Sequence, residues 1–189
     1  MRIMALACAL TILFGGAGAA ESSRDDWKPG RDHHANEDLA YSLATAPFLT
    51  TGDRDGIARV IEDQEDEERK TPKTLMSYRV GLIGLAQDGS NQVLVQAPDS
   101  LCGNGGCDYW IFIRRHRQLQ LVLKWFGFAL VRDTFSHGFR DVVFEYHSSA
   151  LEEDYTVYRW NGEKYEEIDC YSSKGGVTTD CGYKPTMHH

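Results

Sequence analysis

Five cysteines occur in the 189 residues, and four of them fall into two close pairs, Cys102 with Cys107 and Cys170 with Cys181. Thiols at such spacings serve one of three chemistries: they ligate a soft metal, exchange electrons as a redox pair, or close a covalent bridge. Zinc knuckles favour C-x2-C pairs, and a thioredoxin-like site needs C-x-x-C at a helix N-terminus. Here the spacings are C-x4-C and C-x10-C, and Cys107 leads straight into DYWIFI, a run of strand character. The expectation is structural disulfides. Four cysteines allow three pairings, of which Cys102–Cys107 with Cys170–Cys181 is the simplest. On the loop-entropy account each bridge stabilises the fold by roughly 2–3 kcal/mol. The intervening Gly103, Asn104, Gly105 and Gly106 would give a tight loop the backbone freedom it needs.

Other residues suggest weaker chemistry. TGDRDGIARVIE, residues 51 to 62, has the outline of a calcium loop: oxygen-bearing residues at positions 1, 3 and 5, glycine at 6 and glutamate at 12. Asp53, Asp55 and Glu62 would supply its carboxylates. Thr51 at the first position removes one carboxylate, and the simpler expectation is a helix whose N-terminus is capped by Asp53 or Asp55. His137 lies close in sequence to Asp133, Ser136 and Asp141, which raises the alternative of a hydrolase using His137 with Asp133 or Asp141. A working triad is gathered from separate elements, whereas these residues share one turn, and no G-x-S-x-G elbow occurs. His33-His34 and His188-His189 could capture a metal only opportunistically. There is no H-E-x-x-H and no phosphate-binding glycine loop. No cofactor is implied and no resident metal is expected.

The elements that must position these groups follow from periodicity and turn chemistry. Arg2, the apolar run Ile3 to Phe14 and the small residues Gly15 to Ala20 predict a secretory signal peptide over 1–20, cleaved near Ala19 or Ala20. That run is shorter than the ~20 residues a bilayer span needs, so no membrane association is expected once it is removed. Cys8 leaves with it, and an even number of cysteines remains for the oxidising space outside the cytoplasm. The mature chain, roughly 170 residues, is enough for one domain that buries about 70% of its unfolded surface. The formal net charge of −8 argues against a nucleic-acid partner despite the cluster Arg114, Arg115, His116 and Arg117. The acidic run from Glu62 to Glu68 reads as a solvated face, with a calcium-attracting surface as the sharper alternative.

Residues 21–36 are polar and charged and predict a flexible leader. Residues 37–72 predict an N-terminal helical segment: one helix over Glu37 to Ala46, stopped by Pro47, and a second over Gly56 to Arg69. From Lys73 the period changes to two. Strands are predicted around Tyr78 to Gly84, Gln92 to Gln96, Tyr109 to Arg114, Leu119 to Trp125, Phe128 to Arg132, Asp141 to His147, Tyr155 to Trp160 and Glu163 to Ile168. Asp88-Gly89 and Asn161-Gly162 are hairpin signals. The fold class is mainly β (α+β): an antiparallel meander of about seven or eight short strands over 73–172, preceded by one or two short helices. Residues 173–189 form a C-terminal tail stapled by Cys170–Cys181.

With the strands laid out, an order of short motifs emerges: LAQDGSNQVLVQ (85–96), CGNGGCDYWIF (102–112), HGFRDVVFEYHSSA (137–150) and YRWNGEKYEEIDCY (158–171). In this order the chain resembles a group of uncharacterised exported bacterial β domains, and it is distantly similar to FG-GAP/VCBS-type repeats, whose turns often bind calcium. The likeness covers 73–172. It implies an exported compartment and a β fold and brings no activity. The calcium turn is degraded here to Asp88 with Gln87 and Ser90 beside it.

The expected function is that of a periplasmic or secreted, disulfide-bonded, non-catalytic binding domain with a protein partner in the cell envelope. An inhibitor or immunity-type protein for a cell-wall hydrolase is its most specific version. The candidate contact surface is the bridged loop, Gly103 to Gly106, with the basic turn Arg114, Arg115 and Arg117, because a covalently braced loop loses little entropy on insertion into a cleft. The alternatives are the His137 hydrolase and a calcium-stabilised structural module.

Overall fold

In the computed structural model the described residues are 33–34, 39–64, 75–149, 151–175 and 177–181. The predicted signal peptide, most of the leader, and the tail beyond Cys181 lie outside them, as do Glu65 to Glu68 of the acidic run. Among the described residues these elements follow in order: β1 His33–His34, β2 Tyr41–Ser42, α1 Thr51–Glu62, β3 Arg79–Ile83, β4 Gln92–Gln96, β5 Cys107–Arg115, β6 Gln118–Ser136, β7 Phe139–Ser149, β8 Glu152–Trp160, β9 Tyr165–Lys174 and β10 Val177–Asp180. β2 to β10 pair with their sequence neighbours in one antiparallel meander, and β1 adds to β6 with His33 opposite Val131. No helix among the described residues is long and apolar enough to cross a membrane.

Alternation decides which residue faces which layer. On β5, Tyr109, Ile111 and Ile113 enter one apolar cluster with Leu85, Leu94, Trp125, Phe144 and Trp160. Trp110 and Phe112 of the same strand point the other way, into a cluster with Ile57 and Ile61 of α1 and with Leu43, Leu49, Tyr78, Val93 and Val95. The sheet curls around the first cluster. The β3–β4 hairpin meets the start of β7, where Gln87 N–H donates to Gly138 O at 2.8 Å and Arg140 N–H to Leu85 O at 2.8 Å. Inside, Tyr109, Trp125, Phe144 and Tyr158 form a ladder across four strands, with centroids 4.9, 3.9 and 5.0 Å apart.

α1 forms where the second helix was expected, but it begins earlier and is capped differently. Thr50 is the N-cap; its hydroxyl accepts from Asp53 N–H, and the Asp53 side chain accepts from Thr50 N–H in return, a reciprocal capping box. Asp53, Ile57 and Ile61, four residues apart, make the buried stripe. The helix expected over Glu37 to Ala46 does not form: Tyr41–Ser42 pair with β3, and turns follow to residue 48. Its Leu39 and Leu43 are buried, so the apolar spacing reflects docking onto the sheet and not a helical stripe. His33–His34, placed in the leader, are strand, and the start of the tail is the edge strand β10.

The two strands expected over Leu119 to Trp125 and Phe128 to Arg132 are one strand, β6. Its first half pairs with β5 and its second half with β7. Between them the chain bends at Gly127, φ 130°, where a Cβ would run into the Glu145 carbonyl oxygen. A bulge opposite Ile111/Phe112 inserts Val122 as an extra residue. Leu119 and Leu121 therefore pack toward the helix, while Leu123 and Trp125 enter the curled interior.

Candidate functional site

Both predicted bridges are present. Cys102–Cys107 spans a Cα separation of 4.4 Å and Cys170–Cys181 one of 5.7 Å. The first closes a loop that hydrogen-bonds to itself, Gly103 N–H to Gly106 O at 2.9 Å and Gly106 N–H to Gly103 O at 3.1 Å. Only Gly106 in this loop needs a positive φ, 126°. Otherwise the glycines permit close approach: a Cβ on Gly106 would strike the Gly127 backbone, and one on Gly105 would lie 2.6 Å from the Tyr146 ring and 3.2 Å from Phe126. The loop is thus half interior, with Gly106 buried and only Gly103 and Asn104 fully exposed. Beneath it Gln96 donates to Tyr109 Oη at 2.8 Å and to Cys107 Sγ at 3.1 Å.

Flanking the loop, Phe126 and Tyr146 present their rings to solvent at 41% exposure each, 5.8 Å apart. These two aromatics were not among the expected contact residues. Phe126 falls between two of the predicted strands, and Tyr146 lies inside the strand predicted over Asp141 to His147. The signal that marks them lies in the loop: glycines against the face of a strand imply a large side chain lying on them.

The basic turn does not join this surface. Loop and turn sit at opposite ends of β5, separated by about 27 Å at the usual rise per residue. His116 and Arg117 form the two-residue hairpin there, both in the left-handed region at φ 48° and 68°. Two of its three arginines are struts. Arg114 grips both carboxylate oxygens of Asp53 at 2.9 Å, tying β5 to α1. Arg115 donates to Glu163 O at 2.9 Å and lies over the Trp160 ring. Arg117 is exposed.

That pairing also decides the calcium candidates. Asp53 is spent on Arg114 and Thr50, and hydrogen bonding from Arg114 holds its carboxyl at about 2, below the ordinary 3.8. Asp55 and Glu62 lie along a continuous helix and not on a loop wrapped around an ion. At the hairpin of 84–91, Asp88 Oδ1 accepts from Ser90 N–H at 2.8 Å, the ordinary work of an Asx turn.

His137 is in the β6–β7 turn, φ 49°, with Nδ1 3.1 Å from Trp160 O. Neither acid meets its ring. Asp133 pairs with Arg140, while Asp141, fully buried, is held by Thr134 at 3.0 Å and Arg159 at 3.0 Å. His137 borders a cleft of about 400 Å³ with Arg114, Arg115, Phe139 and Trp160.

One further cluster lay outside every expectation. Glu145, His147 and Glu153 place their ligand-type atoms within 4.8 Å of one another on the face of β7 and β8 opposite Tyr146. Comparison of the chain with protein-family models, with curated proteins and with solved structures finds no match.

Proposed function

We propose that this chain is an exported, non-catalytic binding domain that seats the Cys102–Cys107 loop and the Phe126–Tyr146 pair against a protein partner. The single observation that carries this is the pairing of a braced, half-buried loop with two exposed aromatic rings lying against it. Aromatic side chains contribute a large contact area at little entropic cost, and a loop already locked to its sheet loses little freedom on binding. Two disulfides suit an oxidising compartment. A net charge of −8 favours a cationic partner by electrostatic steering. In its most specific form the partner is a cell-wall hydrolase held in check. The basic turn takes no part in this contact, because it lies at the other end of β5.

The test uses the oxidised chain with purified muramidases, amidases and endopeptidases acting on a cell-wall suspension, followed by loss of turbidity. Slowing of one hydrolase class is expected, with Tyr146→Ser weakening inhibition at least ~10-fold, as for an anchoring aromatic. If no hydrolase is slowed and calorimetry detects no binding, the inhibitor proposal is lost. If inhibition survives both Tyr146→Ser and Phe126→Ser, the contact surface is elsewhere.

A further inference from the structure

We propose that Glu145, His147 and Glu153 form a binding site for a transition-metal dication of the zinc type, built on the outer face of β7 and β8. Strand parity assembles it. Glu145 and His147 are two residues apart on β7 and share a face, and Glu153 stands directly across the ladder from His147. His147 Nε2 lies 2.9 Å from Glu145 Oε1, and Nδ1 lies 3.9 Å from Glu153 Oε1. One imidazole nitrogen with two carboxylate oxygens is a borderline donor set that suits zinc and its neighbours better than magnesium or calcium. Three protein ligands leave a coordination position for water or for a group from a partner.

The surroundings support the donors. Tyr155 Oη donates to Glu153 Oε2 at 2.6 Å, which orients the carboxylate and leaves Oε1 toward the imidazole. Such outer hydrogen bonds position metal ligands. The edge of the Phe128 ring meets the His147 ring at 5.5 Å and 79°, restricting its rotation. Leu130, Val143 and Val157 form a buried floor beside Tyr155. Among the described residues no lysine or arginine pairs with Glu145 or Glu153; both half-buried carboxylates face the imidazole, and Glu153 also accepts from Tyr155. A dication satisfies both at once. Glu145 and His147 point away from the face that carries Tyr146, so this site is independent of the proposed partner surface.

The experiment titrates the oxidised, chelator-stripped chain at neutral pH with zinc by calorimetry and with cobalt(II) by visible absorption. Because His33-His34 and His188-His189 could also take up metal, variants with each pair changed to alanine are run alongside. The expected result is one site that His147→Ala weakens at least ~100-fold, that Glu153→Gln and Tyr155→Phe weaken about 10-fold or more, and that both terminal variants leave unchanged. Calcium and magnesium should bind at least ~100-fold more weakly. Circular dichroism of each variant separates loss of the site from loss of the fold. Zinc affinity unchanged by folded His147→Ala and folded Glu153→Gln, or no binding below millimolar zinc, overturns the proposal.

Discussion

The two halves of the sheet differ in what covers them. Strands β3 to β5 and the first half of β6 lie between α1 on one side and the curled interior on the other. All five residues of β4 are buried, and β5 is buried at six positions. The second half of β6 with β7 to β10 shares that interior, and among the described residues no helix packs on its outer face. There burial alternates along β8, and β10 is exposed at every residue. The helix-backed half carries stability in apolar area, and its few polar groups are consumed by internal pairs such as Asp53–Arg114. The outer face of this half carries a small buried patch, Leu130, Val143, Tyr155 and Val157, with the Glu145–His147–Glu153 cluster beside it, while Tyr146 lies on the other face, that of Phe144. The helix-backed half is the more continuously buried of the two, and the other half leaves more of its polar and aromatic groups at the surface.

The comparison is broken most directly at Trp110, fully buried beneath α1 against Tyr78. Trp110→Ala should cost about 4 kcal/mol in urea unfolding, the usual scale for emptying an aromatic site. An equal loss from Tyr146→Ala would erase the distinction between the halves. Next is the joint between them. Gly127→Ala should cost about 3 kcal/mol, because the residue combines a left-handed φ with backbone contact on its α-hydrogen side; a loss under ~1 kcal/mol would mean that the bend is soft.

Asp53→Asn should cost about 2 kcal/mol at neutral pH. The folded carboxyl sits at about 2 against an ordinary 3.8, so its contribution is present above that ordinary value and is lost as pH falls through about 2. Acid unfolding of the variant should accordingly lack the part of the pH dependence between about pH 4 and pH 2 that the native chain shows. Paired serines at Cys102 and Cys107 should also cost about 2 kcal/mol, the loop-entropy value for so short a ring, read as a lowered denaturation midpoint. Smallest of all, Tyr146→Ser should change stability by under ~0.5 kcal/mol, as exposed positions do, while it weakens partner binding.

Much of the fold was legible because turn residues and period two are local signals. Gln92 to Gln96 is strand over those same residues, and the two bridges are the simplest of the three pairings that four cysteines allow. The errors have physical causes. Leu39 and Leu43 show helical spacing because two buried residues on an extended-and-turned segment happen to lie four apart. The Phe126–Gly127 region reads as a gap between strands because a glycine in a strand looks like a turn, yet here it lets one strand bend from β5 to β7. The candidate site was legible only in part. The bridged loop was visible, but the basic turn was joined to it by sequence proximity, which a fully extended β5 undoes.

Local chemistry alone pointed to antiparallel strands, to two small covalent rings as the simplest pairing and to a helix in the region of Gly56, since each depends on residues a few positions apart. Only the tertiary structure decided that Arg114 would neutralise Asp53, that Tyr146 would lie on Gly105, and that Glu153 would come to stand beside His147. Those contacts depend on register and on which face of a strand meets which layer. A one-residue slip reverses both, and no short window of sequence records them.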